Sequence, residues 1–283
     1  MGDVHRYSDL VKLVGRSEAE RHRNAVTHGV RASGPIGLAE FASAIAELYP
    51  DAAFCGWSAA RLYGHFMARG YERPVELWTP RPIRRKDVIA RRSVIDADEI
   101  VVSAGIRHTD GARTAIDLAR YVSGDRAIAA MDQCLRTYRY RGPITTVEGV
   151  EERLGRRRWR ADRVRAVLAE ANGRAESPEE TYTRLLLHRN GFSGFVPQWE
   201  VLDGTYRLDL AEPELCVAVE YQGVHHRDAR QFAADMERLN RLQTELDWHV
   251  VLVVAGDLDR RRETLLARVH AALTRRGWTE PAA

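Results

Sequence analysis

What most limits the fold of this chain is a change of hydrophobic period after residue 172. Asn172-Gly-Arg-Ala-Glu-Ser-Pro178 is rich in turn formers. From there the pattern reads helix, strand, strand, strand, helix, strand, helix. Tyr182, Leu185, Leu186 and Leu187 predict a helix over 178–189, and apolar runs predict strands over 196–202, 206–210 and 216–221. Asp203-Gly204 and Glu212-Pro213 supply the turns between those strands. Phe232, Met236, Leu239 and Leu242 stripe a long helix over 230–246, followed by a strand over 248–254 and a helix over 258–275.

Ahead of that boundary the chain reads as an Arg-rich, mostly helical region with a few strands. At 283 residues it has length for about two domains of ~100–200 residues each, here 1–172 and 173–283. The expected fold class is α/β: an αβββαβ core preceded by a mainly helical α+β domain. Leu38, Phe41, Ala42, Ile45 and Leu48 fall at helical spacing, and Ser58 is placed to cap a helix through Ala59, Ala60, Leu62 and Tyr63. Residues 75–79 and 100–102 read as strands. Helical segments near 18–28 and 38–48 are the pair that a helix-turn-helix would use, with no clear recognition helix between them.

Charge excludes some classes. The 43 basic residues nearly balance 40 acidic ones, for a net +3, which rules out a histone-like polycation. Only Lys12 and Lys86 are lysines. Codon bias is the plain account, while arginine also suits bidentate contacts to phosphate. Both lysines precede residue 173, so no lysine serves as a catalytic base beyond it. Cys55, Cys134 and Cys216 are widely spaced, with no Cys-x-x-Cys, as expected of reduced thiols rather than a zinc ribbon or a disulfide framework. The expected site is cytoplasmic, with no export signal, and no apolar run approaches the ~20 residues of a membrane span.

Three places carry candidate chemistry. In Val217-Ala-Val-Glu-Tyr-Gln222, alternation puts Glu220 and Gln222 on one face. Pairing with 206–210 brings Asp209 to that face, and Glu180 approaches from the preceding helix. Such an oxygen-rich pocket suits Mg²⁺ or Mn²⁺. The alternatives are an Asp209–arginine pair, a solvent-facing polar sheet edge and, for Glu180, helix capping after Ser177-Pro178, which the pattern alone favours. The second place is the basic run Arg156, Arg157, Arg158, Trp159 and Arg160, with Arg163 and Arg165 beyond. It reads equally as a phosphate-gripping helix and as a solvated face. The third is the pair His225 and His226, a poor metal signature by itself.

Taken together, these residues resemble the PD-(D/E)XK nuclease fold, and more narrowly the very-short-patch-repair-like endonuclease domains. The matching segments are Glu176-Ser-Pro-Glu-Glu180, Arg207-Leu-Asp-Leu210, Val219-Glu-Tyr-Gln-Gly223, His226, Asp235, Arg238, Asn240, Trp248-His-Val-Val251 and Asp257-Leu258. The resemblance implies a restriction-endonuclease-like core and metal-dependent hydrolysis of DNA. Asp209, Glu220 and Glu180 would hold Mg²⁺ or Mn²⁺, and His226 would donate to phosphate or carry a proton. Arg238 and Arg241 would contact the DNA backbone, along with Arg156, Arg157, Arg158 and Arg160. Gln222, also a catalytic candidate, stands where the group often has Asp and the wider fold often has Lys; an amide cannot act as a base, though its carbonyl can coordinate a metal and its NH₂ can hold a water. Gly56-Trp-Ser-Ala-Ala-Arg-Leu-Tyr-Gly64, the strand at 75–80 and Ala112-Arg-Thr-Ala-Ile-Asp-Leu-Ala119 more loosely resemble AbiEi-type antitoxins, which bind DNA as regulators.

The expected function is thus a Mg²⁺-dependent DNA endonuclease or nickase in repair or defence. The alternative is a non-catalytic DNA-binding regulator of antitoxin type with a degenerate nuclease fold. DNA, a second copy of the chain, and a protein from a toxin–antitoxin or defence pair are the expected partners, with no membrane.

Overall fold

The computed structural model describes residues 4–14, 16, 24–27, 30–32, 38–69, 74–138, 140–155, 159–223 and 229–279. It shows a mixed α/β architecture in two compact units, Met1–Tyr121 with Glu148–Arg158, and Val122–Val147 with Trp159–Ala283. The helices between Val122 and residue 172 therefore pack, for the most part, with the segments beyond the turn-rich stretch.

In the first unit, β1 (Val4–Arg6), β2 (Asn24–Thr27) and β3 (Val30–Ala32) form a small sheet in the order β1-β3-β2, beside α1 (Tyr7–Val14) and α2 (Leu38–Leu48). Strand β2 stands where a helix was expected. A five-stranded sheet comes next in the order β6-β5-β4-β8-β7, from β4 (Ala53–Phe54), β5 (Val75–Trp78), β6 (Val88–Arg91), β7 (Ile100–Ser103) and β8 (Ile106–Thr109). This is more strand than the pattern suggested. The β7–β8 hairpin turns at Ala104 and Gly105, both at positive φ (50° and 78°), the conformation its two-residue loop needs. Ala42, Ile45, Phe54, Val75, Leu77, Val88 and Ile106 make the core.

Polar groups are buried in this unit too. Helix α3 (Gly56–Leu62) begins two residues before Ser58, whose hydroxyl instead accepts the Glu76 N–H at 2.9 Å. Gly56 lies at φ 51°, and a Cβ there would meet Glu76 Oε2 at 2.5 Å, so any other residue would be strained and would push the Glu76 carboxylate aside. In α4 (Gly111–Tyr121), Arg113 is 1% exposed and donates to Asp117 Oδ1 (2.9 Å), Glu99 Oε2 (3.0 Å), Ser93 Oγ (2.6 Å) and Val94 O (3.1 Å). Helix α6 (Val147–Gly155) supplies Arg153 to Asp98 and Asp110, each at 2.6 Å.

The second unit holds α5 (Asp125–Leu135), α7 (Ala161–Glu170), α8 (Pro178–Arg189) and a sheet of β9 (Val196–Val201), β10 (Tyr206–Glu212), β11 (Val217–Tyr221) and β12 (His249–Val253). The order is β12-β11-β10-β9. Strands β9, β10 and β11 pair antiparallel, whereas β11 and β12 run parallel across the long helix α9 (Ala229–Thr244). Helices α10 (Ala255–Asp259) and α11 (Arg262–Arg275) complete the unit, so the expected last helix is split in two. Because parallel pairing needs a crossover, both faces of β11 are covered. Val217 and Val219 pack with Leu187, Leu265, Val269 and Leu273, while Ala218 packs with Leu242, Trp248 and Val250.

Asp132 of α5 ties that helix to α8. It is 0% exposed and accepts from Asn172 N (2.6 Å), Thr181 Oγ1 (2.7 Å) and an Arg184 guanidinium NH₂ (3.0 Å). Among the described residues no helix is long and apolar enough to cross a membrane. Cys55, Cys134 and Cys216 are unbridged, and burial pushes the Cys134 thiol up to about 12.

Candidate functional site

The site grows from the β10–β11 register. Leu210 pairs with Val219 and Ala211 with Ala218, so one step further sets Asp209 across from Glu220. Asp209 Oδ2 accepts the Tyr221 N–H at 2.9 Å, fixing its carboxyl at the strand end. Gln222 lies just past β11, with its backbone N–H donating to Val253 O at 2.6 Å.

Glu180 enters from α8. Ser177 caps that helix through its hydroxyl to the Glu180 N–H (3.1 Å), with Pro178 in the first turn. The Glu180 side chain folds back over the same helix end. Its Oε2 accepts the Glu176 N–H (2.8 Å) and the Gln198 amide (2.9 Å). Capping and convergence on the site are thus the same arrangement. Burial raises the Glu180 carboxyl above its ordinary range, against the pull of these donors.

Asp209 is pushed further. Burial, then the charges of Glu180 and Glu220, bring its carboxyl up to about 8.

Glu220 is 4% exposed, and its charge is met from α9. Arg238 donates to Glu220 Oε2 (2.7 Å) and Oε1 (2.8 Å), and also to Arg207 O (2.7 Å). A bidentate guanidinium–carboxylate pair is among the strongest polar contacts available. Arg238, expected at the DNA backbone, is here turned inward onto the carboxylate.

This arrangement does not fit a divalent cation. Both Glu220 oxygens are taken by Arg238, and Glu180 Oε2 by two N–H donors. Among the described residues, no group of three or more His, Cys, Asp or Glu side chains is placed to hold a metal ion. His225 and His226 lie outside the described residues.

Arg156, Arg157 and Arg158 also fall outside the described residues. Trp159 and Arg160 form a turn ahead of α7, with Arg160 at φ 53° and its guanidinium 5.0 Å from the centre of the half-exposed Trp159 ring. Arg163 donates to Val122 O, and Arg165 pairs with Asp162 at 3.0 Å. Arg241 reaches Glu245 (3.1 Å) and the Tyr206 hydroxyl (3.0 Å) on the exposed side of α9.

Gln198 was not foreseen. The ladder pairs Trp199 with Leu208 and Pro197 with Leu210, while Gln198 between them sits at φ 53°. For a residue with a Cβ that conformation costs about 1–3 kcal/mol. Here it delivers the amide to Glu180. The visible signal is the neighbouring Pro197, which marks β9 as an edge strand.

Residues 29–168 match the family model of the AbiEi antitoxin C-terminal domain. This stretch is AbiEi-antitoxin-like. Two curated relatives, uncharacterized proteins of Mycobacterium tuberculosis strains CDC 1551 and H37Rv, are each 34% identical over 172 residues. The match spans 59% of this chain and 62% of either relative's length. No solved structure matches. The AbiEi-like stretch contains both Gly56 and Arg113, so the segments carrying the resemblance hold buried structure: a glycine against the Glu76 carboxylate and a core guanidinium.

Proposed function

We propose that the chain is a DNA-binding regulator of antitoxin type, whose last hundred residues keep a nuclease-like αβββαβ unit with a closed carboxylate site. The observation that carries this reading is the Arg238 guanidinium seated on both oxygens of Glu220. It neutralises the acidic centre from within the chain, as a resident cation would. The AbiEi-like match over 29–168 supports the regulatory role and the expectation of a partner protein from a toxin–antitoxin pair.

The endonuclease reading keeps one observation on its side. The charges of Glu180 and Glu220 act on Asp209, which supports three carboxyl groups sharing one neighbourhood. For Mg²⁺ or Mn²⁺ to bind, Arg238 would have to withdraw.

The deciding experiment pairs two assays on the full chain: salt-dependent binding to duplex DNA, and nicking of supercoiled DNA with Mg²⁺ or Mn²⁺. The regulator binds DNA with a steep salt dependence and leaves it uncut. Cutting by the wild type that is lost in Asp209→Ala would overturn the reading in favour of the nuclease.

A further inference from the structure

Beside the closed site, on the far side of Glu176 and Gln198, lies an open cavity of about 530 Å³. That is within the ~300–1,000 Å³ range of small-ligand pockets. Its walls include Arg136, Arg174 and Arg207, two carboxylates in Glu176 and Glu200, and Gln198 and Trp199. Two features give it a chemistry. First, the Glu176 carboxylate lies between two guanidiniums, 2.5 Å from Arg207 and 3.4 Å from Arg136. A carboxylate held by two arginines occupies the place a phosphate takes, since both present oxygens to the same planar donors. Arg207 is 49% and Glu176 36% exposed, while Arg136 is the more buried partner at 18%. The Arg207–Glu176 pair is exposed and contributes little, so a strand phosphate takes the carboxylate's place at small cost, and a 5′-terminal monoester, with its second charge, does so more favourably than an internal diester. Second, Trp199 lines the same cavity and is 37% exposed, offering an indole face where bases stack.

We infer that this cavity binds one nucleotide unit of single-stranded DNA, its phosphate replacing Glu176 between Arg136 and Arg207 and its base against Trp199. The inference rests on the DNA-binding reading above and adds to it a specific place and a preference for unpaired strand. The Glu176 N–H bonds Glu180, so a backbone shift at Glu176 on filling the cavity would reach the carboxylate site.

The test measures tryptophan fluorescence and anisotropy with three probes: dTMP, a 5′-phosphorylated oligo-dT, and the same oligo-dT without the phosphate. Duplex binding is measured in parallel, and thermal unfolding confirms that each variant is folded. Expected results are quenching by dTMP that disappears in Trp199→Phe, and roughly tenfold weaker oligo-dT binding in Trp199→Ala, the factor one stacked base carries. Arg207→Gln should lose the advantage of the 5′-phosphorylated strand, and Glu176→Gln should tighten it by removing the competitor. Duplex binding by a protein whose oligo-dT affinity ignores all three positions would overturn the cavity assignment and leave the DNA-binding reading intact. Retained dTMP quenching with no duplex binding would do the reverse, keeping the cavity and removing the regulator.

Discussion

Replacing Arg238 with Gln tests whether the carboxylate site is closed by its own chain. In the wild type the guanidinium makes two bonds to Glu220, at 2.7 and 2.8 Å, and the Glu220 side chain is only 6% exposed. Removing one partner of a buried pair costs about 3–5 kcal/mol, because the remaining charge is stranded. The Arg238 side chain is 28% exposed, so water reaches the vacated space and the cost falls near the lower end, about 3 kcal/mol. At about 2–4 °C per kcal/mol for units of roughly 150 residues, the midpoint of the second unit should drop by about 6–12 °C. The variant also frees both Glu220 oxygens beside Asp209. Mn²⁺ should then raise the midpoint of Arg238→Gln and leave the wild type unmoved, by the linkage that stabilises any folded state a ligand prefers. Thermal unfolding monitored by fluorescence, with Mn²⁺ and with chelator, reads both effects. Combining Arg238→Met with Glu220→Leu should recover most of the loss, since an apolar pair replaces a buried ion pair at little cost. A wild-type midpoint in Arg238→Gln would refute the buried clamp. Equal Mn²⁺ stabilisation of variant and wild type would refute the closed site.

Gln198→Ala loses the bond to Glu180 but keeps the strained backbone, whereas Gln198→Gly loses the bond and relieves it. Urea unfolding should therefore rank wild type above Gly and Gly above Ala, the last two about 1 kcal/mol apart, and the reverse order would sink the argument. Arg113→Met strands Glu99 and Asp117 in the first unit and should cost about 3–5 kcal/mol, read as a fall in the denaturant midpoint; an unchanged midpoint would count against the network. Burial pushes the Asp132 carboxyl from 3.8 up to about 6 despite Arg184 and the other donors. The folded chain then binds more protons than the unfolded one between those values, so this group's contribution falls as pH rises from about 4 to about 6, by about 3 kcal/mol in all, and is flat above. Asp132→Asn should remove that slope from the stability-versus-pH curve, and a variant with the wild-type slope would show that Asp132 does not cause it.

The αβββαβ unit was legible because its two periods are clean. Leu208 and Leu210 alternate in β10, Leu187 and Leu265 sit on helical stripes, and Ser177-Pro178 marks the start of α8. Other features leave a weaker trace. Strand β4 is two residues long, too short to show alternation, and the five-stranded sheet around it forms through tertiary pairing. Asp132 and Arg113 look like residues of solvated helix faces, yet each is buried because its partners lie far along the chain or on the next turn. The inward turn of Arg238 did have a signal. It stands four residues before Leu242, which is fully buried against Ala218, so the helix face toward the sheet runs through 238 and 242. Met236, assigned to the apolar stripe, is 39% exposed.

Two arginine–carboxylate clamps of the second unit, Arg238–Glu220 and Arg207–Glu176, differ in burial, and this decides the order in which they open. The Arg238–Glu220 pair is held against α9 with the carboxylate out of water, so it yields only to a ligand that supplies equivalent charge at the same depth. The Arg207–Glu176 pair faces solvent and is weak by comparison. An incoming strand therefore meets Glu176 first and displaces it at little cost. The Glu176 N–H bonds Glu180, whose charge acts on Asp209, so a backbone shift at Glu176 would couple the outer clamp to the inner one. Strand binding should accordingly proceed unchanged in the presence of chelator, whereas any cation effect should require the strand or the loss of Arg238. Cation-dependent strand binding in the wild type, measured by anisotropy with and without Mn²⁺, would show that the buried clamp opens first.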